Sequence, residues 1–106
     1  MKAVLLAALC ACATARRSEP VAGPMELSGL AAEGELLYER HCHACHPGGE
    51  GGLGPSLNDK PQPGFLIRTQ VRMGFGAMPG FDAEHLAKHE VDAIVAWMQA
   101  ARRHGQ

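Results

Sequence analysis

Residues 42–46 read Cys42-His43-Ala44-Cys45-His46. Two thiols three positions apart share one side of a helical turn, so both can reach a single rigid partner. The next residue, His46, is carried beneath the centre of that partner, where a ring nitrogen can bind a metal. C-x-x-C-H is the pattern by which haem is attached to a polypeptide. Two thioethers hold the porphyrin through its vinyl groups, and the histidine binds the iron. The motif therefore predicts one covalent haem c, joined through Cys42 and Cys45, with its iron on His46.

Other uses of two close cysteines fit less of the chain. A thioredoxin-like redox pair belongs beside a βαβ pattern, and the sequence shows no strand-like alternation. A structural zinc site takes four ligands, whereas Cys42, Cys45 and one neighbouring histidine supply three. A disulfide closing so short a loop would contribute little stability.

Working outward from the motif, Ala31 to His41 reads as a helix leading into it. Gly34, Leu37, Tyr38 and His41 recur at helical spacing on one face. A glycine inside that face costs about 1 kcal/mol against alanine, which makes sense where another backbone or a flat group must come close. After the motif, Pro47 to Gly64 is dense in glycine and proline and reads as loop. Phe65 to Met73 is a short second helix, with Ile67 and Val71 inward and Arg68 and Arg72 outward. Gly74 to Gly80 is a tight loop. Asp82 caps a last helical stretch that breaks near Lys88 and runs to about Arg103, with Val91, Ile94, Val95 and Met98 as its apolar stripe. Arg102 and Arg103 suit the negative end of the helix dipole.

The chain has 106 residues, enough for one small domain. It is 46% hydrophobic and 20% charged, which suits a folded globule rather than a disordered chain. Lys+Arg is 10 against Asp+Glu 11, a net charge of −1, so the basic footprint of a nucleic-acid binder is absent. The aromatic residues are only Tyr38, Phe65, Phe75, Phe81 and Trp97. A chain this small, with so few rings, needs a staple, and a covalent haem supplies one.

The N-terminus reads as an address. Lys2 precedes a short apolar stretch, Ala3 to Ala11, and small residues gather at Ala13-Thr14-Ala15. Two cuts compete. One falls after Ala15, making residues 1–15 a secretory signal. The other falls before Cys12, because Leu9-Cys10-Ala11-Cys12 resembles a bacterial lipobox. A lipid on Cys12 would then tether the protein to a membrane. Either cut places the domain in the periplasm or another extracytoplasmic space. Residues 16–30 read as a flexible linker and 31–106 as the folded domain. No apolar run reaches the length of a membrane-spanning helix.

Haem iron has a second axial position, and a neutral thioether suits it. Met25 lies in the linker, Met98 on the stripe of the last helix, and Met73 at the end of the second helix. Met78 differs, because it sits in Gly74-Phe75-Gly76-Ala77-Met78-Pro79-Gly80. Such a loop can lay its backbone along a flat ring, and Pro79 fixes the chain just after the sulfur. Met78 is the candidate sixth ligand. His41, His43, His85, His89 and His104 are its rivals, with His85 and His89 four residues apart on one helical face. Arg68 and Arg72 are read as solvated, with a contact to a haem propionate as the other option.

Taken together these features resemble the class I, mono-haem cytochrome c family over Ala31 to Gln106. Gly34-x-x-x-Tyr38-x-x-x-Cys42 is similar to the family's first helix. Ile94-x-x-Trp97 is similar to the pair that this helix packs against, Gly54-Pro55-Ser56-Leu57 to its proline turn, and Gly76-Ala77-Met78-Pro79 to its ligand loop. Pro47 stands where glycine is usual, and Ala87 where a Ser or Thr often opens the last helix.

The resemblance implies an all-α cytochrome c fold, three to four short helices wrapped around one covalently bound haem. It also implies that the Pro55 carbonyl accepts the free N–H of His46. The function expected is an exported, monomeric carrier of single electrons between redox protein partners such as a dehydrogenase, an oxidase or a respiratory complex. It is not itself an enzyme. Two other readings stand beside it: a haem subunit of an exported dehydrogenase, and a gas sensor or peroxidase should the Met78 bond be labile.

Overall fold

The expected N-terminal signal, whether cut after Ala15 or before Cys12, lies outside the residues that the computed structural model describes, 24–104. Within them the order is α1 (Gly29–His41), a single 3-10 turn (Pro47–Gly49), α2 (Gly64–Met73) and α3 (Lys88–His104). Among the described residues the only β-type pairing is an isolated bridge between Phe75 and Met78. The architecture is all-α.

Helix α1 is rich in Ala, Leu and Glu, all strong helix formers. It buries Gly34, Leu37 and Tyr38, while Arg40 and His41 sit in its last turn, where positive charge opposes the helix dipole. It starts two residues before the predicted Ala31, inside the stretch read as linker. Met25 and Leu27, just upstream, pack on the core. They share a groove with Ala100, Arg103 and His104 at the end of α3.

Helix α2 begins after Pro61-Gln62-Pro63, whose last proline holds an extended backbone (φ −66°, ψ 152°) at the N-cap. It ends at Gly74, which takes φ +68°. Ile67 and Val71 face the core as expected.

Helix α3 is the long element, with Val91, Ala93, Ile94, Val95, Trp97 and Ala101 buried. Its start shows the break expected near Lys88. Asp82 caps a separate turn, its Oδ1 accepting the backbone N–H of Glu84 and of His85, both at 3.0 Å. The helix proper opens at Lys88. Ala87 offers no side-chain cap, but the Glu90 carboxylate reaches back and accepts its N–H at 2.9 Å. That is one half of a capping box.

The core forms where α1 crosses α3. Gly34 lies directly on the Ala93 carbonyl, where a Cβ would also stand 3.0 Å from Trp97 Cβ. This is the close backbone approach that the glycine in the α1 stripe called for. One turn on, the rings of Tyr38 and Trp97 stack at 4.1 Å with their planes 32° apart. Leu86, Val91 and Ile94 are among the largest wholly enclosed side chains, each worth about 1.5–3 kcal/mol of burial. Helix α2 is fastened to α3 by Arg68, whose Nε donates to Asp92 Oδ1 at 2.7 Å. A single small core thus carries the haem motif at the C-terminal end of α1 and the Met78 loop at the end of α2.

Candidate haem site

Helix α1 delivers the cysteine motif. Cys42 is its C-cap and still has right-handed helical dihedrals (φ −119°, ψ −32°). The turn continues, with the N–H of Cys45 and of His46 donating to the Cys42 carbonyl at 3.2 and 2.9 Å. Both cysteines are free thiols, half-buried. Burial, and then the neighbouring Cys45, push the Cys42 thiol up to about 11, so its sulfur keeps its proton at neutral pH. No group of three or more His, Cys, Asp or Glu side chains placed to hold a metal ion occurs among the described residues.

His46 is 8% exposed. Its Nδ1 lies 2.8 Å from the Pro55 carbonyl oxygen. A carbonyl only accepts, so Nδ1 is the donor of this bond, and in a neutral ring the lone pair then falls on Nε2. That is the tautomer a metal-binding imidazole needs. Gly54 gives the ring its room, since a Cβ there would overlap the imidazole.

The backbone of His46 is held from the other side. The Tyr38 hydroxyl, on a residue with no exposed surface, donates to the His46 carbonyl at 2.5 Å. The Gly49 N–H donates to the same oxygen at 3.0 Å. Sequence reasoning valued Tyr38 only for packing on α3; its hydroxyl was the signal that it also reaches a polar group.

Glycines fold the loop after His46 back onto the motif. Gly48 and Gly49 take φ +61° and +82° in the 3-10 turn. The Gly49 carbonyl accepts from Leu57 and Asn58, and the Cys45 carbonyl accepts from Gly54. Asn58 Nδ2 donates to the Gly48 carbonyl at 3.1 Å. Asn58 escaped the sequence reading because nothing marks a loop asparagine as a tie to a turn ten residues away.

The Met78 loop is a tight hairpin. The N–H of Phe75 and of Met78 donate to each other's carbonyl at 3.1 and 3.0 Å, around Gly76 at φ +57°. Met78 is half-buried and packs on the core, whereas Met73 is 78% exposed. Met25 and Met98 also pack on the core from outside the loop.

The rival histidines are engaged elsewhere. His43 is exposed, accepts the Gly48 N–H and lies 3.7 Å from Glu39. His85 pairs with Asp82 at 2.8 Å and His89 with Glu33 at 3.5 Å. His85 precedes α3, so the two do not share a helical face as the spacing predicted. His41 meets the edge of Phe81, with ring centroids 5.9 Å apart, and His104 ends α3. Arg68 is exposed, as the solvated reading expected, whereas the reading of Arg72 changes. Arg68 is tied to Asp92, and Arg72 Nη1 donates to the carbonyls of Phe81 at 3.1 Å and Leu86 at 2.6 Å.

The donor set fits a covalent haem. Two thiols lie on one turn, and the next side chain is an imidazole whose Nδ1 is taken by the Pro55 carbonyl, which leaves Nε2 as the nitrogen to face a metal. The described residues contain no helix long and apolar enough to cross a membrane.

A family model described as "Cytochrome C oxidase, cbb3-type, subunit III" matches residues 29–98, which covers α1, α2 and the first part of α3. The chain is 30% identical over 79 residues to the 4-cresol dehydrogenase [hydroxylating] cytochrome c subunit of Pseudomonas putida, covering 74% of this chain and 69% of that protein. No solved structure matches. Proteins of this kind carry electrons on one covalently bound haem c and are not themselves enzymes. The chain belongs to the mono-haem class I cytochrome c family.

Proposed function

We propose that this cytochrome is an exported carrier of single electrons whose haem is bonded through Cys42 and Cys45 and ligated by His46 and Met78. The observation that carries the reading is the 2.8 Å contact between His46 Nδ1 and the Pro55 carbonyl, which leaves Nε2 as the bare nitrogen. The inward turn of Met78, against the exposure of Met73, supports the second ligand. Bound there, the haem supplies reversible one-electron chemistry at iron. The protein's share is to hold both axial positions, to orient the His46 ring and to exclude water. A thioether opposite an imidazole favours the reduced state and so raises the potential. With both positions filled, neither oxygen nor a substrate reaches the metal, and electrons pass during brief docking through a small interface.

The test is Met78→Ala in the holoprotein. The ferric spectrum should lose its sulfur-to-iron charge-transfer band, the potential should fall, and the ferrous form should bind carbon monoxide readily. Persistence of the band would move the ligand to another methionine. Rapid carbon monoxide binding by the parent protein would instead favour the sensor or peroxidase reading.

A redox partner of the dehydrogenase class is favoured by the cytochrome subunit of 4-cresol dehydrogenase to which the chain is similar. In a cytochrome subunit of that kind the domain would copurify with a large catalytic subunit; as a free shuttle it would run as a monomer. Export through residues 1–15, or a lipid on Cys12 acting through a linker, would place the domain outside the cytoplasm. The mass of the mature protein distinguishes the two cuts.

A further inference from the structure

The Met78 loop leaves α2 at Gly74 and returns at Phe81, and it crosses itself where it closes. A Cβ at Gly74 would stand 2.5 Å from the Met78 carbonyl, and one at Gly80 would stand 2.7 Å from the Arg72 carbonyl. Three bonds seal this crossing. The Phe81 N–H donates to the Val71 carbonyl at 2.8 Å. Arg72 Nη1 donates to the Phe81 carbonyl at 3.1 Å and to the Leu86 carbonyl at 2.6 Å. Between the closures the loop's backbone bonds run only from Gly74 to Gln70 and between Phe75 and Met78. The loop therefore has no other main-chain anchor among the described residues.

Arg72 is suited to this place. Its guanidinium is charged at any pH the protein meets. Among the described residues it pairs with no carboxylate, so its hydrogen bonds go to main-chain oxygens rather than to an acid. Leu86 is wholly enclosed, so the far end of the contact is fixed in the core. Arg72 thus ties the chain that returns from Met78 to a rigid point.

We propose that Arg72 is a positioning residue for the sixth ligand: by clasping the loop at Phe81 and Leu86 it limits how often the Met78 thioether leaves the iron. This rests on Met78 being that ligand. Arg68, one turn earlier on the same helix, bonds to Asp92 and touches nothing in the loop. It separates a clasp from a general loosening of α2.

The experiment is imidazole binding to the ferric holoprotein. At saturating imidazole the observed rate is the rate at which Met78 lets go. Arg72→Met should raise that limiting rate about tenfold, within the range that one charged hydrogen bond can supply. Arg72→Lys should raise it less, because an ammonium keeps the charge but loses the planar fork. Arg68→Met should lower the melting temperature and leave the rate within about twofold of the parent, since it touches no loop atom. Should Arg72→Met yield no holoprotein, Arg72→Lys carries the test alone. An unchanged rate in the Arg72 variants, or an equal rise in Arg68→Met, overturns the clasp. If Met78→Ala keeps the sulfur-to-iron band, the fault lies with the ligand assignment instead.

Discussion

The ring of His46 and its main-chain carbonyl are held by different parts of the chain. Pro55 takes the ring N–H, and Tyr38 with Gly49 takes up the carbonyl. Were His46 to hold the proposed haem iron, a ring fixed at both ends would stay in place through the change of charge and keep the reorganisation small. Tyr38→Phe isolates one of these ties. The ring still stacks on Trp97, and Gly49 still satisfies the carbonyl, so the cost should be that of one hydrogen bond, about 1 kcal/mol. For a domain of this size that is a melting point lower by about 4–8 °C, with haem content unchanged. A melt identical to the parent's would show that the hydroxyl holds nothing. The pairing of His46 with Pro55 was legible in the proline turn; the Tyr38 hydroxyl bond was not, because its acceptor is a backbone atom eight residues away and no side-chain pattern records it.

At the scale of elements, the α1–α3 crossing was readable from Gly34, because a helix face that keeps a glycine among Leu37 and Tyr38 asks for a close neighbour. Gly34→Ala tests it. The added methyl meets the Ala93 carbonyl, which is backbone and cannot yield cheaply, so overpacking should cost about 1–3 kcal/mol, read as a lower denaturation midpoint. The turn before α3 makes a prediction about pH. The hydrogen bond from His85, followed by the His85 and Glu84 backbone N–H groups, holds the Asp82 carboxyl below its usual range. A carboxylate with a depressed folded-state pKa stabilises above its unfolded value, and that contribution fades as pH falls through the folded one. The protection factors of the Glu84 and His85 amides, taken against their intrinsic exchange at each pH, should therefore fall in acid, and Asp82→Asn should remove that pH dependence. Equal acid sensitivity in parent and variant would contradict the cap. What escaped at this scale was long-range. Met25 and Leu27 stand in a stretch without helical period, and the groove they share with Ala100 and Arg103 brings together residues far apart in sequence, so the start of the domain read as linker. Arg72 read as a solvated charge because the carbonyls it bonds lie nine and fourteen residues away.

Across the whole molecule, a short chain with few aromatic rings still assembles a protein core, from the α1–α3 crossing and the inner face of α2. Around it, Leu53, Phe65, Met73 and Phe75 remain exposed. Exposed apolar side chains thus lie on α1, at Leu30 and Leu36, as well as on the loop after His46, on α2 and on the Met78 loop. In the proposed function, a covalent link at Cys42 and Cys45 would tie the haem to this core. The most direct test is the mass of the tryptic peptide released by cleavage after Arg40 and Arg68, which contains both cysteines and His46. From protein made in a host with working cytochrome-assembly machinery, that peptide should carry the mass of one haem and no alkylatable thiol. The same peptide at its bare mass, with both thiols free, would contradict the account.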